Sequence, residues 1–230
     1  MFFFRVLLGI ILGVLCLVSL GRAQQGVYYK DAVQLAARLS SEEKIAEISE
    51  HLIYTIEDAL LSVAKSSHRK AQVVAQHYNI HAATLSSTQQ LHLIVDNKAP
   101  WLHHLKEENP ISTYLQQPTI QLQILEKEEE YTLIELYSEQ ALNMKFLANE
   151  LSILEHVWLV EIPSEQRGGK DIQLLATKEG YHLIYSCPVQ AHSQLLHYWE
   201  FLVSSTGEVT FLGEYGAALT TQLNKNSRRL

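Results

Sequence analysis

The sequence predicts an α+β fold: N-terminal helices followed by a mainly antiparallel sheet, laid out as a meander, with one covering helix. Three observations predict it. Up to about residue 83, apolar residues recur at steps of three and four, the spacing of one helix face. From Thr119 onward the period changes to two, the spacing of a half-buried strand. The later strand candidates are separated by only a few turn residues, too few for crossover helices, so they pair antiparallel. Helices first and strands afterwards is the α+β order.

Ahead of the first helix stands a segment of a different kind. Met1 to Phe4 and Arg5 give a short positive start, residues 6–20 are uncharged and apolar, and Gly21-Arg22-Ala23 precedes the polar Gln24-Gln25. This is the charged, apolar, small-x-small order of a secretory signal peptide. Cleavage is expected after Ala23, leaving the protein secreted or periplasmic. The alternative is a membrane anchor through residues 2–20. A span needs about 20 apolar residues, and this segment reaches that only across Arg5.

The chain has 230 residues and a formal net charge of −7; the leader carries Arg5 and Arg22 and no acid, so the mature chain stands at −9. Such a length suits one domain with its own core. An acidic balance argues against a nucleic-acid partner, whose footprint is a basic patch. The leader takes Cys16 with it and leaves Cys187 alone, so the mature chain forms no internal disulfide and must stand on its core.

The elements follow in order. Ala32, Leu35, Ala36 and Leu39 put a helix at residues 31–39. Ser40-Ser41-Glu42-Glu43 has the form of a capping box and is expected to open the next helix, whose stripe runs Ile45, Ile48, Leu52, Ile56, Ala59 and Val63. After Ser66-Ser67, a further helix carries Ala71, Val74, Tyr78 and Ala82. Residues 91–95 suit either a short strand or a buried helical turn. Asp96 to Pro100 is a turn, and Pro100 can open a short helix. Asn109-Pro110 and Pro118 mark loops.

Ile120, Leu122 and Ile124 alternate with glutamines. Residues 131–137 can pair with them or start a helix. A helix is expected at 138–155, with Ala141, Met144, Ala148, Leu151 and Leu154 on one face. Strands are placed at 157–162, 172–176, 181–187, 197–203 and 208–214. The resulting organisation is a signal peptide at 1–23, a mainly helical region at 24–118, an α+β sheet region at 119–222 and a disordered tail at 223–230. The aromatic face made by Tyr181, Tyr185, Trp199 and Phe201 is expected to be core, covered by helix 138–155. The opposite face, with His182, Ser186, Glu200, Thr210 and Glu214, is expected to be wet or covered by the N-terminal helices.

Sites are few. His77 and His81 sit four apart on an expected helix, a spacing that can grip zinc or copper, but Tyr78 stands where a metalloprotease needs its glutamate, and a third ligand would have to come from His68, His103 or His104. Cys187 with His182, His192 or His197 raises a thiol-hydrolase reading, weakened by the lack of any nucleophile motif; a structural thiol is the expectation. Glu126, Glu128, Glu129 and Glu130 suit a solvated loop. The sequence points to an exported non-catalytic binding or interaction protein, for a protein partner or a small apolar ligand, with no membrane span after cleavage. The alternative is an exported hydrolase or metal-dependent enzyme whose site assembles only in the fold.

Overall fold

A computed structural model describes residues 26–84, 86–104, 120–164, 169–190 and 193–219. The leader 1–23, the tail 223–230, the loop markers at 109–110 and 118, and His192 lie outside them. The architecture is α+β, with two four-stranded antiparallel sheets in place of the single expected meander.

Helix α1, residues 26–39, buries Ala32, Leu35 and Ala36, the face expected from their spacing. The expected capping box does not open the next helix. Ser40–Glu42 is a single 3-10 turn, and α2 runs Glu50–Lys65 from an N-cap at Ser49, whose side chain accepts from Leu52 N at 3.4 Å. Residues between are drawn into extended backbone, where Glu47 bridges to Leu142. Ile45 therefore stands outside the stripe and is 58 % exposed, while Ile48, Ile53, Ile56, Ala59, Leu60 and Val63 are buried. Helix α3, Arg69–Gln72, continues into a π turn, Val73–His77, and the chain leaves it through Asn79 in the left-handed region at φ 47°.

The first sheet has the order β2-β3-β1-β4, from Gln90–Asp96 (β1), Ile120–Lys127 (β2), Tyr131–Ser138 (β3) and Val157–Glu161 (β4). Residues 91–95 and 131–137 are thus strands. Leu91, Leu93 and Val95 alternate with half-exposed residues and form one core with Ile134 and Leu136. Glu128, Glu129 and Glu130 occupy the exposed tip of the β2–β3 hairpin.

Helix α4 is Met144–Leu151, shorter than the expected 138–155, because Ser138 ends β3. Its N-cap is Asn143, whose side chain accepts from Phe146 N at 3.1 Å. Met144, Leu147 and Leu151 pack into the first sheet's core. The expectation that this helix covers the aromatic face is therefore corrected, and β4, expected with the later strands, pairs with β1 instead.

The second sheet is a four-stranded meander, β5-β6-β7-β8, from Asp171–Ala176 (β5), Gly180–Pro188 (β6), Leu196–Ser204 (β7) and Val209–Gly216 (β8). Its aromatic face is core, as expected, but α1, α2 and α3 cover it: Leu183, Tyr185, Cys187, Trp199, Phe201 and Val203 share a cluster with Leu35, Ile56, Leu60 and Val74. The helices fill most of that face, so the expected core reading holds for Tyr185, Trp199 and Phe201. The tight β5–β6 turn needs glycine at 180, where φ is 144° and an added Cβ would lie 2.0 Å from the Val203 carbonyl oxygen.

The two cores meet along a narrow seam. The Asn143 side chain donates to the Ser40 carbonyl at 2.6 Å and to the Glu43 carbonyl at 3.2 Å, and its backbone N–H donates to the Ala46 carbonyl at 2.8 Å. Where the chain enters β1 and leaves β4, Ser87 N–H donates to the Pro163 carbonyl at 2.7 Å.

Candidate functional site

A cleft of about 900 Å³ opens where α1, the start of α2 and the first sheet fail to close on one another. Ligand sites concentrate at such junctions, in cavities of about 300–1,000 Å³. The fold explains the gap. Each half packs most of its own apolar faces, so the margin is mixed: Val33, Ile48, Ile53, Ala141, Leu142 and Pro163 share the lining with polar groups. Tyr29, Lys30, Asp31 and Gln34 enter from α1; Glu47, Ser49 and Glu50 from the approach to α2; Thr88, Gln89 and Gln90 from the start of β1; Glu139 and Gln140 from the turn after β3. Four carboxylates face one lysine. Carboxamides both donate and accept, and hydroxyls do the same, so the lining suits a polar ligand.

Asp31 is the buried anchor of this wall. Its Oδ2 lies 2.8 Å from His81 Nδ1, and its Oδ1 accepts from Ala82 N at 3.1 Å. The contact ties α1 to the strand-like segment that follows Asn79. His81 is thereby a structural partner of Asp31 in this geometry. His77 ends the π turn and meets the Tyr78 ring edge-on, with centroids 4.8 Å apart. The helix stops between the two histidines, so the four-residue spacing does not align their rings on one helix face. Among the described residues no group of three or more His, Cys, Asp or Glu stands close enough together to hold a metal ion.

Cys187 lies at the end of β6, 1 % exposed and directly opposite His197 on β7. Burial pushes the thiol's pKa up, partly opposed by the Lys170 ammonium. A reactive cysteine needs the reverse: an accessible thiolate in an electropositive surrounding. His197 Nδ1 is 2.9 Å from the Ala217 carbonyl oxygen, and its Nε2 stands 3.7 Å from Glu214. His182 is on the opposite face, 3.3 Å from Glu200. None of these residues lines the cleft.

The chain matches no protein-family model, no curated protein and no solved structure.

Sequence spacing gave no sign of the cleft. Its walls come from five separated segments, and none forms a motif. The nearest local signal is the run Ser86-Ser87-Thr88-Gln89-Gln90, which is polar where a strand begins. A second, smaller cavity of about 390 Å³ lies between α2 and the two hairpin tips of the second sheet, rich in hydroxyls from Thr55, Ser62, Thr177 and Ser204. There the Thr55 and Tyr181 hydroxyls are joined at 3.0 Å.

Proposed function

We propose that the protein is an exported, non-catalytic binding protein whose cleft takes a polar segment of a protein partner. The observation that carries this reading is the cleft's lining: carboxamides, hydroxyls and carboxylates, interleaved with apolar side chains such as Ile48, Ile53 and Leu142, surround a cavity large enough for several residues of a polypeptide. The polar groups line an open wall around it. Export is proposed on the signal-peptide pattern of residues 1–23. No helix among the described residues is long and apolar enough to cross a membrane.

The test uses residues 24–230 and an immobilised hexapeptide library of all charge classes. Polar peptides are expected to capture the protein and to be recovered uncut by mass spectrometry. Gln140→Trp, a bulky change at an exposed cleft position, should abolish capture and leave the melting temperature within about 2 °C. Capture that survives Gln140→Trp would remove the cleft from the reading. Cleaved peptides would replace the binding protein with an enzyme.

A further inference from the structure

Tyr29 on α1 lines the cleft, and Tyr54 on α2 stands beside it; both are presented to solvent. Tyr29 is 41 % exposed and Tyr54 53 % exposed. Their ring centroids are 6.2 Å apart and their planes are inclined at 48°, so the two rings form an open V instead of a filled stack. Exposed aromatic pairs of this kind leave ring faces unused. Nothing in the core requires them there, since both helices bury their other faces fully.

The charge around the V is mainly negative. Glu50, Tyr54 and Glu57 stand at i, i+4 and i+7 on α2, on one helix face. Glu50 lines the cleft beside Tyr29. The Tyr29 phenol is held above its ordinary range, first by burial and then by Tyr54, Glu50 and Glu57, which places both carboxylates within electrostatic reach of that ring. A ring face carries the negative end of the aromatic quadrupole. Two such faces backed by two carboxylates attract a positive charge, and an angled pair surrounds a compact ammonium better than a planar guanidinium. Lys30, next along α1, supplies one positive charge against this set.

We propose that Tyr29 and Tyr54, with Glu50 and Glu57, form a subsite for an alkylammonium group, the side-chain end of a lysine in the bound segment. The inference rests on the cleft reading for the source of that lysine. The rings supply the contact faces, the carboxylates supply the charge, and the cleft receives the chain on either side.

The experiment is titration calorimetry of residues 24–230 with acetyl-Lys-Lys-Lys-amide, the matching tri-norleucine peptide and butylammonium chloride. The lysine peptide should bind at least tenfold more tightly than its norleucine counterpart, and raising the salt from 50 to about 300 mM should weaken it, as charge attraction demands. Tyr54→Ala should cost tenfold or more, and Tyr54→Phe, which keeps the ring face, should cost less than threefold. Tyr54 is exposed, so neither change threatens the fold. Equal binding of the lysine and norleucine peptides, or no effect of Tyr54→Ala, would overturn the subsite. Gln140→Trp separates the two readings. If it abolishes peptide binding while Tyr54→Ala does not, the cleft stands and the subsite falls. If only Tyr54→Ala acts, the subsite stands and the cleft reading falls. Butylammonium binding within threefold of the peptide would assign the site to free amines and overturn the lysine side chain as its source.

Discussion

Arg38 and Asp171 are 133 residues apart in sequence and joined by a two-pronged ion pair, Nη2 to Oδ1 at 2.9 Å and Nη1 to Oδ2 at 3.2 Å. The same guanidinium donates to the Ile172 carbonyl at 2.8 Å and the Ala83 carbonyl at 2.6 Å, and Asp171 Oδ1 accepts from Ala83 N and Ile172 N, each at 2.8 Å. One pair thus fixes the end of α1, the segment after Asn79 and the first residue of β5.

Removing one partner leaves the other charge about three-quarters buried without its counter-ion. Asp171→Ala is therefore expected to cost about 2 kcal/mol or more, below the range for a fully buried pair because water still reaches this one. Arg38→Lys should recover little, since an ammonium cannot reproduce the planar fork. Urea unfolding at pH 7 measures both. A loss below about 0.5 kcal/mol for Asp171→Ala would show that the pair is ornamental.

The start of α2 gives a graded expectation along one stripe. Ile56→Ala should cost about 2–5 kcal/mol, the range for a fully enclosed aliphatic side chain. Ile48, 6 % exposed, should fall in the lower part of that range, and half-buried Leu52 should cost about 1 kcal/mol. Ile45→Ala should change stability by less than about 0.5 kcal/mol. Equal losses at Ile45 and Ile48 would mean that the helix starts at the Ser40 box after all.

Stability should fall at alkaline pH. Burial raises the Tyr185 phenol, reinforced by Tyr28 and Asp31, and burial raises Cys187 against a smaller opposing effect of Lys170. Below about pH 8.5 both groups are protonated folded and unfolded, and the full stability is present. Above that, the unfolded chain releases the thiol proton, and above about pH 10 the phenol proton, while the folded chain retains both. Each group then costs about 1.4 kcal/mol per pH unit until its folded pKa is reached. Urea midpoints between pH 7 and 11 should show this slope. Cys187→Ala should remove the part that begins near pH 8.5, and Tyr185→Phe the part that begins near pH 10. Slopes unchanged by both substitutions would contradict the stated burial effect.

The strands of the second sheet were legible in the sequence because their signals are local, whereas residues 91–95 and 131–137, which become β1 and β3, suit helix as well as strand when read alone. The alternation of Leu183, Tyr185 and Cys187, and of Trp199, Phe201 and Val203, lies within single strands, and the turns at Lys178-Glu179-Gly180 and Ser205 to Glu208 lie beside them. The face these residues bury was legible for the same reason. The partner of that face was not. Helix α4 and the N-terminal helices carry equally good apolar stripes, and nothing local decides which one covers the aromatic sheet.

The sequence by itself determined the α+β class, the antiparallel pairing of the last four strands and the aromatic core. These follow from period and turn length. Only the tertiary structure decided that there are two sheets, that β4 joins β1, and that α2 begins at Glu50. In each case a long-range contact outweighed a local preference: Val157 and Leu159 pair with Val95 and Ile94, and the Glu47–Leu142 bridge holds extended the residues that the Ser40 box would have wound into helix. The cleft belongs wholly to the tertiary level. It is the space left where two cores meet along a seam held by the Asn143 side chain and a few backbone bonds, and no single segment records it.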